Sequence, residues 1–174
     1  MLKKYLTIFI ILLALPVFAQ NNIFNYPKNA KTIKTQLPQL KPVSCKFSQT
    51  KTLTSASSVT SGGNFKISQN NEIIFETLYP LNSVTTYSAQ DNKQIFKIIK
   101  AIKSGKYEYL EKNFDLYFKK DNNTWIFALK PKTSSKLNKY LNNIILSGNI
   151  KNITNIRINP VKNGTTDIRF KDCK

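Results

Sequence analysis

Side chains that ordinarily do chemistry are scarce in this 174-residue sequence, and the scarcity narrows its function. There is no histidine. That removes the usual general base near neutral pH, the Ser–His and Cys–His nucleophile pairs, and the commonest metal ligand. The nine acidic residues are spread along the chain. Glu108 and Glu111 are spaced to meet on one face of a short helix, but among so many lysines they read as a solvated pair. Asp121-Asn122-Asn123 has a loose likeness to a calcium loop, without the spaced oxygen ligands or the closing glutamate. Gly62-Gly63 reads as a bend between strands rather than a phosphate loop, because no helix follows it. No nucleophile–base set emerges, so the sequence argues against an enzyme, a metal site or a cofactor.

The two cysteines, Cys45 and Cys173, need a compartment before they can be read. Lys3 and Lys4 precede an apolar run, Leu6 to Phe18, and Val17-Phe18-Ala19 offers a cleavage site. The run falls short of the ~20 residues of a spanning helix. Residues 1–19 are therefore expected to be a signal peptide cut near Ala19, with an uncleaved anchor as the alternative. No cysteine follows the apolar run to carry a lipid anchor. In an oxidising compartment the even pair favours a disulfide, whereas a redox pair would want Cys-x-x-Cys spacing. Cleavage would leave 155 residues, enough for one domain with a real core. Residues 20–43 are polar, carry Pro27, Pro38 and Pro42, and suit one short helix on Ile33, Leu37 and Leu40. The main domain is expected over 44–174.

That domain reads as α+β, mainly antiparallel β. Cys45, Phe47, Gln49, Lys51 and Leu53 alternate onto one face, followed by Phe65 and Ile67 beyond the glycines. Asn70-Asn71 makes a tight turn before Ile73, Phe75, Thr77 and Tyr79, and Val84, Thr86 and Ser88 continue the meander. Asp91 and Gln94 form a capping-box pattern ahead of Ile95, Ile98, Ile99 and Ile102, an apolar stripe at helical spacing that Ser104-Gly105 ends. A second short helix fits Tyr107 to Lys112. Strands resume with Phe114, Leu116 and Phe118, turn at Asp121 to Asn123, and return through Trp125, Phe127 and Leu129. Ser134 or Ser135 caps a brief helical turn with Leu137, Tyr140 and Leu141. Three last strands are expected near 142–147, 152–159 and 165–172, with turns at Ser147-Gly148-Asn149 and Asn163-Gly164. The total is about nine antiparallel strands, with helices after the fourth and between the sixth and seventh.

Without Lys3 and Lys4 the chain holds 25 basic and 9 acidic residues, a net +16. In a cytoplasmic protein this would suggest nucleic acid; export argues against that partner. Anionic lipid head groups, cell-wall polymer or an acidic protein fit better, and so does an ordinary solvated surface in a composition rich in Lys, Asn and Ile.

The order of the strand residues resembles the LolA family of periplasmic lipoprotein carriers. Phe47-Ser48-Gln49 looks like its opening Phe-x-Gln strand, and Gly63-Asn64-Phe65-Lys66-Ile67 like its Gly-x-aromatic-x-apolar strand. Phe75 and Pro80 fall where the family has an aromatic, usually Trp, and a proline. Trp125-Ile126-Phe127-Ala128-Leu129-Lys130-Pro131 is similar to the Trp-x-apolar-x-Leu-x-Pro strand, and Asn163 to Phe170 to the closing hairpin. The resemblance implies a LolA-like incomplete, half-open β-barrel with helices over its concave face. It further implies an acyl-chain cavity walled by Phe47, Phe65, Ile67, Phe75, Phe114, Leu116, Trp125 and Phe127, under a lid carrying Ile95, Ile98, Ile99 and Ile102. Gln69 stands where the family places the arginine that latches the lid, so that latch and the usual cargo are both in question. The implied partners are an acylated lipoprotein or lipid cargo, an inner-membrane donor and an outer-membrane acceptor, with the protein a monomer in the periplasm. The competing reading is a basic interaction protein that docks on anionic membrane or wall polymer without a lipid cavity.

Overall fold

The computed structural model describes residues 22–38, 43–54, 57–69, 72–87 and 94–174, with side chains in the segment after residue 94 from Lys97 onward. Nine strands form one antiparallel sheet: β1 (Val43–Thr52), β2 (Ser58–Ile67), β3 (Ile73–Tyr79), β4 (Ser83–Tyr87), β5 (Phe114–Asp121), β6 (Thr124–Pro131), β7 (Leu141–Asn149), β8 (Ile153–Pro160) and β9 (Thr166–Lys171). Their order is β4-β3-β2-β1-β9-β8-β7-β6-β5, so the sheet is open, with β4 and β5 at its margins. Among the described residues three helices accompany it: α1 (Ala30–Gln36), α2 (Gln94–Ser104) and α3 (Tyr107–Asn113). Short 3₁₀ turns cover Ile23–Asn25 and Lys136–Lys139.

Pairing register turns the sequence alternation into a continuous apolar face. Phe47 lies opposite Phe170, and Phe65 opposite both Cys45 and Phe75. The same face continues through Ile156 opposite Ile168, Leu146 opposite Ile156, Phe127 opposite Leu146 and Phe118 opposite Phe127. A one-residue slip in any pair would turn these side chains to solvent, so the hydrophobic pattern itself fixes the register.

The ends of the elements follow local chemistry. The Asn29 side chain accepts a hydrogen bond from the Thr32 amide at 2.8 Å and starts α1, which ends ahead of Pro38. Glu111 is not a solvated member of an acid pair: its Oε1 accepts the Ala30 amide at 3.2 Å, binding α1 to α3. Gly105, at φ +65°, stops α2 in the left-handed conformation that glycine adopts without steric cost. Leu40, Asn70, Asn71, Ser88 and Asp91 lie outside the described residues, as do residues 1–21 with the expected leader.

Two turns differ from expectation. Gly62 and Gly63 lie inside β2, which continues back to Ser58, and a β-bulge marks the pairing with β3 there. Ser147, Gly148 and Asn149 close β7 instead of turning out of it. Gly148 is needed for packing: a Cβ there would collide with the Trp125 ring, whose Nε1 donates to the Asn149 carbonyl at 2.8 Å.

The disulfide between Cys45 and Cys173 fastens the C-terminus beside β1, and Ser44 and Lys174 exchange backbone hydrogen bonds of 3.1 and 2.9 Å there. A disulfide is consistent with an oxidising, extracytoplasmic compartment. At the other margin, residues 26–28 cover β5. Lys28 N–H donates to the Leu116 carbonyl at 2.9 Å, and Phe118 N–H donates to that of Tyr26 at 3.0 Å. No helix among the described residues is long and apolar enough to cross a membrane.

Candidate functional site

The inward face is filled in one half and hollow in the other. On the β5–β7 side, α1 and α3 lie against the sheet, and Ile33, Leu110, Phe114, Phe127 and Leu129 are fully buried. Tyr107 of α3 meets Phe127 edge-on, with ring centroids 6.2 Å apart. Its hydroxyl donates to the Ile102 carbonyl at 3.3 Å, and burial raises the phenol's pKa. This half is a closed core.

The other half holds a partly open cavity of about 270 Å³. Its walls come from β1 (Phe47, Gln49), β2 (Ser61), β3 (Ile73, Phe75, Thr77), β4 (Thr85, Tyr87), β8 (Ile156, Ile158) and β9 (Thr166, Ile168), with Ile99 of α2 above. Strands β4 and β8 stand five places apart in the sheet, about 24 Å if it were flat. For both to border one small cavity the sheet must curl, which is how an open sheet makes a concave face.

The lining is graded. Isoleucines and aromatics occupy the part beneath α2. Gln49, Ser61, Thr77, Thr85 and Thr166 lie toward the β1–β2, β3–β4 and β8–β9 turns and form a neutral polar mouth. The Gln49 amide donates to the Ser61 hydroxyl at 3.4 Å. Every charged group is absent from the described lining. Such a surface accepts an apolar chain with an uncharged polar end at no cost in buried charge.

Of the residues expected on the cavity wall, Phe47 and Phe75 line it. Phe65 and Ile67 are buried beside it; the Phe65 ring lies 4.9 Å from that of Phe75 and 4.5 Å from that of Phe170. Phe114, Leu116, Trp125 and Phe127 do not reach it. They are on the expected face, but they are buried in one core with Ile33 of α1 and Tyr107 and Leu110 of α3. On the helix, Ile99 faces the cavity and Ile98 and Ile102 are buried against its neighbours. Ile95 belongs to α2, with its side chain outside the described part.

Sequence reasoning missed Thr85 and Tyr87 by assigning the β4 face to Val84 and Thr86. It also missed Ile156, Ile158 and Ile168. Their signal was the alternation of Thr85 with Tyr87, and pairing with Phe47 and Gln49 carries it across to β9.

Gln69, which the resemblance aligned with a lid-latching arginine, is exposed in the β2–β3 turn. Beside it, Lys103 of α2 donates from Nζ to the Ser68 carbonyl at 3.0 Å. The tie between helix and turn thus comes from the helix, and partial burial lowers the lysine's pKa. On the outer face Asp167 joins Arg157 at 2.8 Å and Arg169 at 3.2 Å. Partial burial opposes its charge, but hydrogen bonds from Arg157, Asn155 and Arg169 outweigh that, and its pKa is lowered. Among the described residues no three His, Cys, Asp or Glu side chains are placed to hold a metal ion. No protein-family model matches the chain, and no curated protein matches it significantly.

Proposed function

We propose that this protein is a carrier that shields acyl chains in the cavity between the β1–β4 and β8–β9 strands and α2. The observation that carries the reading is the hollow itself. A nine-stranded sheet with one apolar face would ordinarily be packed solid, yet about 270 Å³ is left between Ile99 and the sheet. A half-open, LolA-like barrel with a helical lid is the fold that such an arrangement suggests. Each buried methylene contributes ~0.8 kcal/mol, so a shallow cavity holds an acyl chain well enough to withdraw it from water and weakly enough to release it to a stronger acceptor.

Export through a leader over residues 1–19, with oxidation of Cys45 and Cys173, would place this carrier in the periplasm. There it would take an acylated lipoprotein or related lipid from an inner-membrane donor and deliver it toward an outer-membrane acceptor. The lack of histidine in the sequence, and of any acid–base set in the described lining, supports transport over catalysis.

The test is uptake of a fluorescent acyl probe that brightens in apolar surroundings. The native protein should brighten it, and Phe75→Glu should abolish the signal while keeping the thermal unfolding transition. Phe65 is unsuited to this test because it is core. Equal brightening by a folded Phe75→Glu protein would overturn the assignment.

A further inference from the structure

The mouth of the cavity and the exposed apolar side chains lie at the same end of the sheet. Leu78, Tyr79, Leu81 and Val84 project from the β3–β4 hairpin; Leu81 is 79% and Val84 68% exposed. Val59, near the start of β2, and Val161, in the β8–β9 turn, are exposed at that end too. Tyr140 joins them, its carbonyl accepting the Val161 amide at 3.1 Å. Among the described residues the opposite end has Ile150 exposed in the β7–β8 turn and no comparable cluster.

Exposed lysines stand at both ends of the sheet, Lys66, Lys120, Lys151, Lys171 and Lys174 at the far one, while the carboxylates are divided unequally. Lys51, Lys136, Lys139 and Lys162 are exposed around the mouth. The stretches that build it, 49–61, 77–87 and 132–166, contain no acidic residue at all. Glu72, Asp121 and Asp172 stand at the far end of the sheet. Two carboxylates stand nearer: Glu76 of β3, opposite Val84, accepts from the Asn64 side-chain amide at 2.7 Å, and Asp167 of β9 is held by Arg157 and Arg169.

We infer that this end of the sheet is a docking surface for an anionic phospholipid bilayer, which seats the cavity mouth on the head-group layer. Charge complementarity selects the occupant. A ring of lysines that outnumber the nearby carboxylates attracts an anionic surface, while Leu81 at the hairpin tip and Val84 beside it enter the interface between head groups and acyl chains. A protein partner with an acidic face would match the lysines but not a scattered apolar fringe around three separate turns. The arrangement also fits the cavity: a mouth pressed to the bilayer lets a chain pass without crossing water. This surface does not depend on the carrier reading, since docking and chain uptake use different residues.

The test is flotation with large vesicles, either pure phosphatidylcholine or phosphatidylcholine with about a third phosphatidylglycerol. The native protein should float with the anionic vesicles, remain at the bottom with the neutral ones, and be released as salt rises. Leu81→Asp with Val84→Asp should lower the floated fraction at least tenfold, and Lys51→Glu with Lys162→Glu should do so at lower salt. Both are solvent-facing changes, and the unfolding transition should stay in place; Val161→Asp gives an independent probe of the same end. Failure of the native protein to float with anionic vesicles overturns the proposal, as does equal flotation of the paired aspartate variant. Acyl-probe uptake by a native protein that does not float would sink docking and leave the carrier reading standing. Flotation by a protein that takes up no probe would do the reverse.

Discussion

If the cavity holds a chain, its size should be legible in the length of chain it binds best. An engineered apolar cavity of about 150 Å³ accommodates benzene, so by proportion about 270 Å³ corresponds to about eleven carbons. Each methylene that enters is expected to contribute ~0.8 kcal/mol, or about fourfold in Kd, so two added carbons should tighten binding about fifteenfold. Past about eleven carbons the added methylenes stay in water and the affinity should flatten. Thr85→Phe places a ring of about benzene's bulk in the mouth and should move the break to about five carbons. The assay is displacement of a bound fluorescent acyl probe by a series of straight-chain alcohols, chosen to match the uncharged polar lining. Competition that strengthens steadily through sixteen carbons, or a break unmoved by Thr85→Phe in a folded protein, would refute this use of the cavity.

Four further expectations follow from the same structure. Replacing Cys45 and Cys173 by serine opens a loop spanning 128 residues of sequence, worth about 5 kcal/mol by chain entropy, so the thermal midpoint should fall by roughly 10–20 °C; a fall under about 3 °C would contradict it. Gly148→Ala forces a Cβ against the Trp125 ring and should cost about 1–3 kcal/mol in denaturant unfolding. Asp167 has a lowered folded-state pKa, so its contribution is complete above the ordinary carboxylate pKa, about 4, and is lost as pH falls through the folded value; Asp167→Asn should flatten the acid limb of the stability curve. Lys103→Met removes the tie from α2 to the Ser68 carbonyl and should speed release of a bound probe several-fold without changing the unfolding midpoint by more than about 3 °C, by stopped-flow dilution and thermal melting.

Much of the architecture was legible because alternation and turn chemistry are local. The strands carrying Phe47, Phe75, Phe118 and Phe127 follow from period-two patterning, and α2 from the isoleucines at helical spacing. The bend expected at Gly62-Gly63 was misplaced because glycine marks a bulge within a strand as readily as a turn between strands. The hollow was harder to read. Phe47 and Phe127 share one apolar face and look alike in sequence, yet one borders empty space and the other is sealed beneath α3. Which half of the sheet each helix covers depends on the long-range contacts of α1 and α3, such as Glu111 with Ala30, and no local pattern announces them. Ile168 is a cavity residue only through register with β1, a strand distant in sequence.

The most direct measurement is native mass spectrometry of the protein purified gently from the cells that make it. A population heavier than the polypeptide by the mass of an acyl-bearing molecule is expected, lost when Thr85→Phe fills the mouth. A single unliganded mass under gentle ionisation, from cells where the protein is abundant and oxidised, would contradict it.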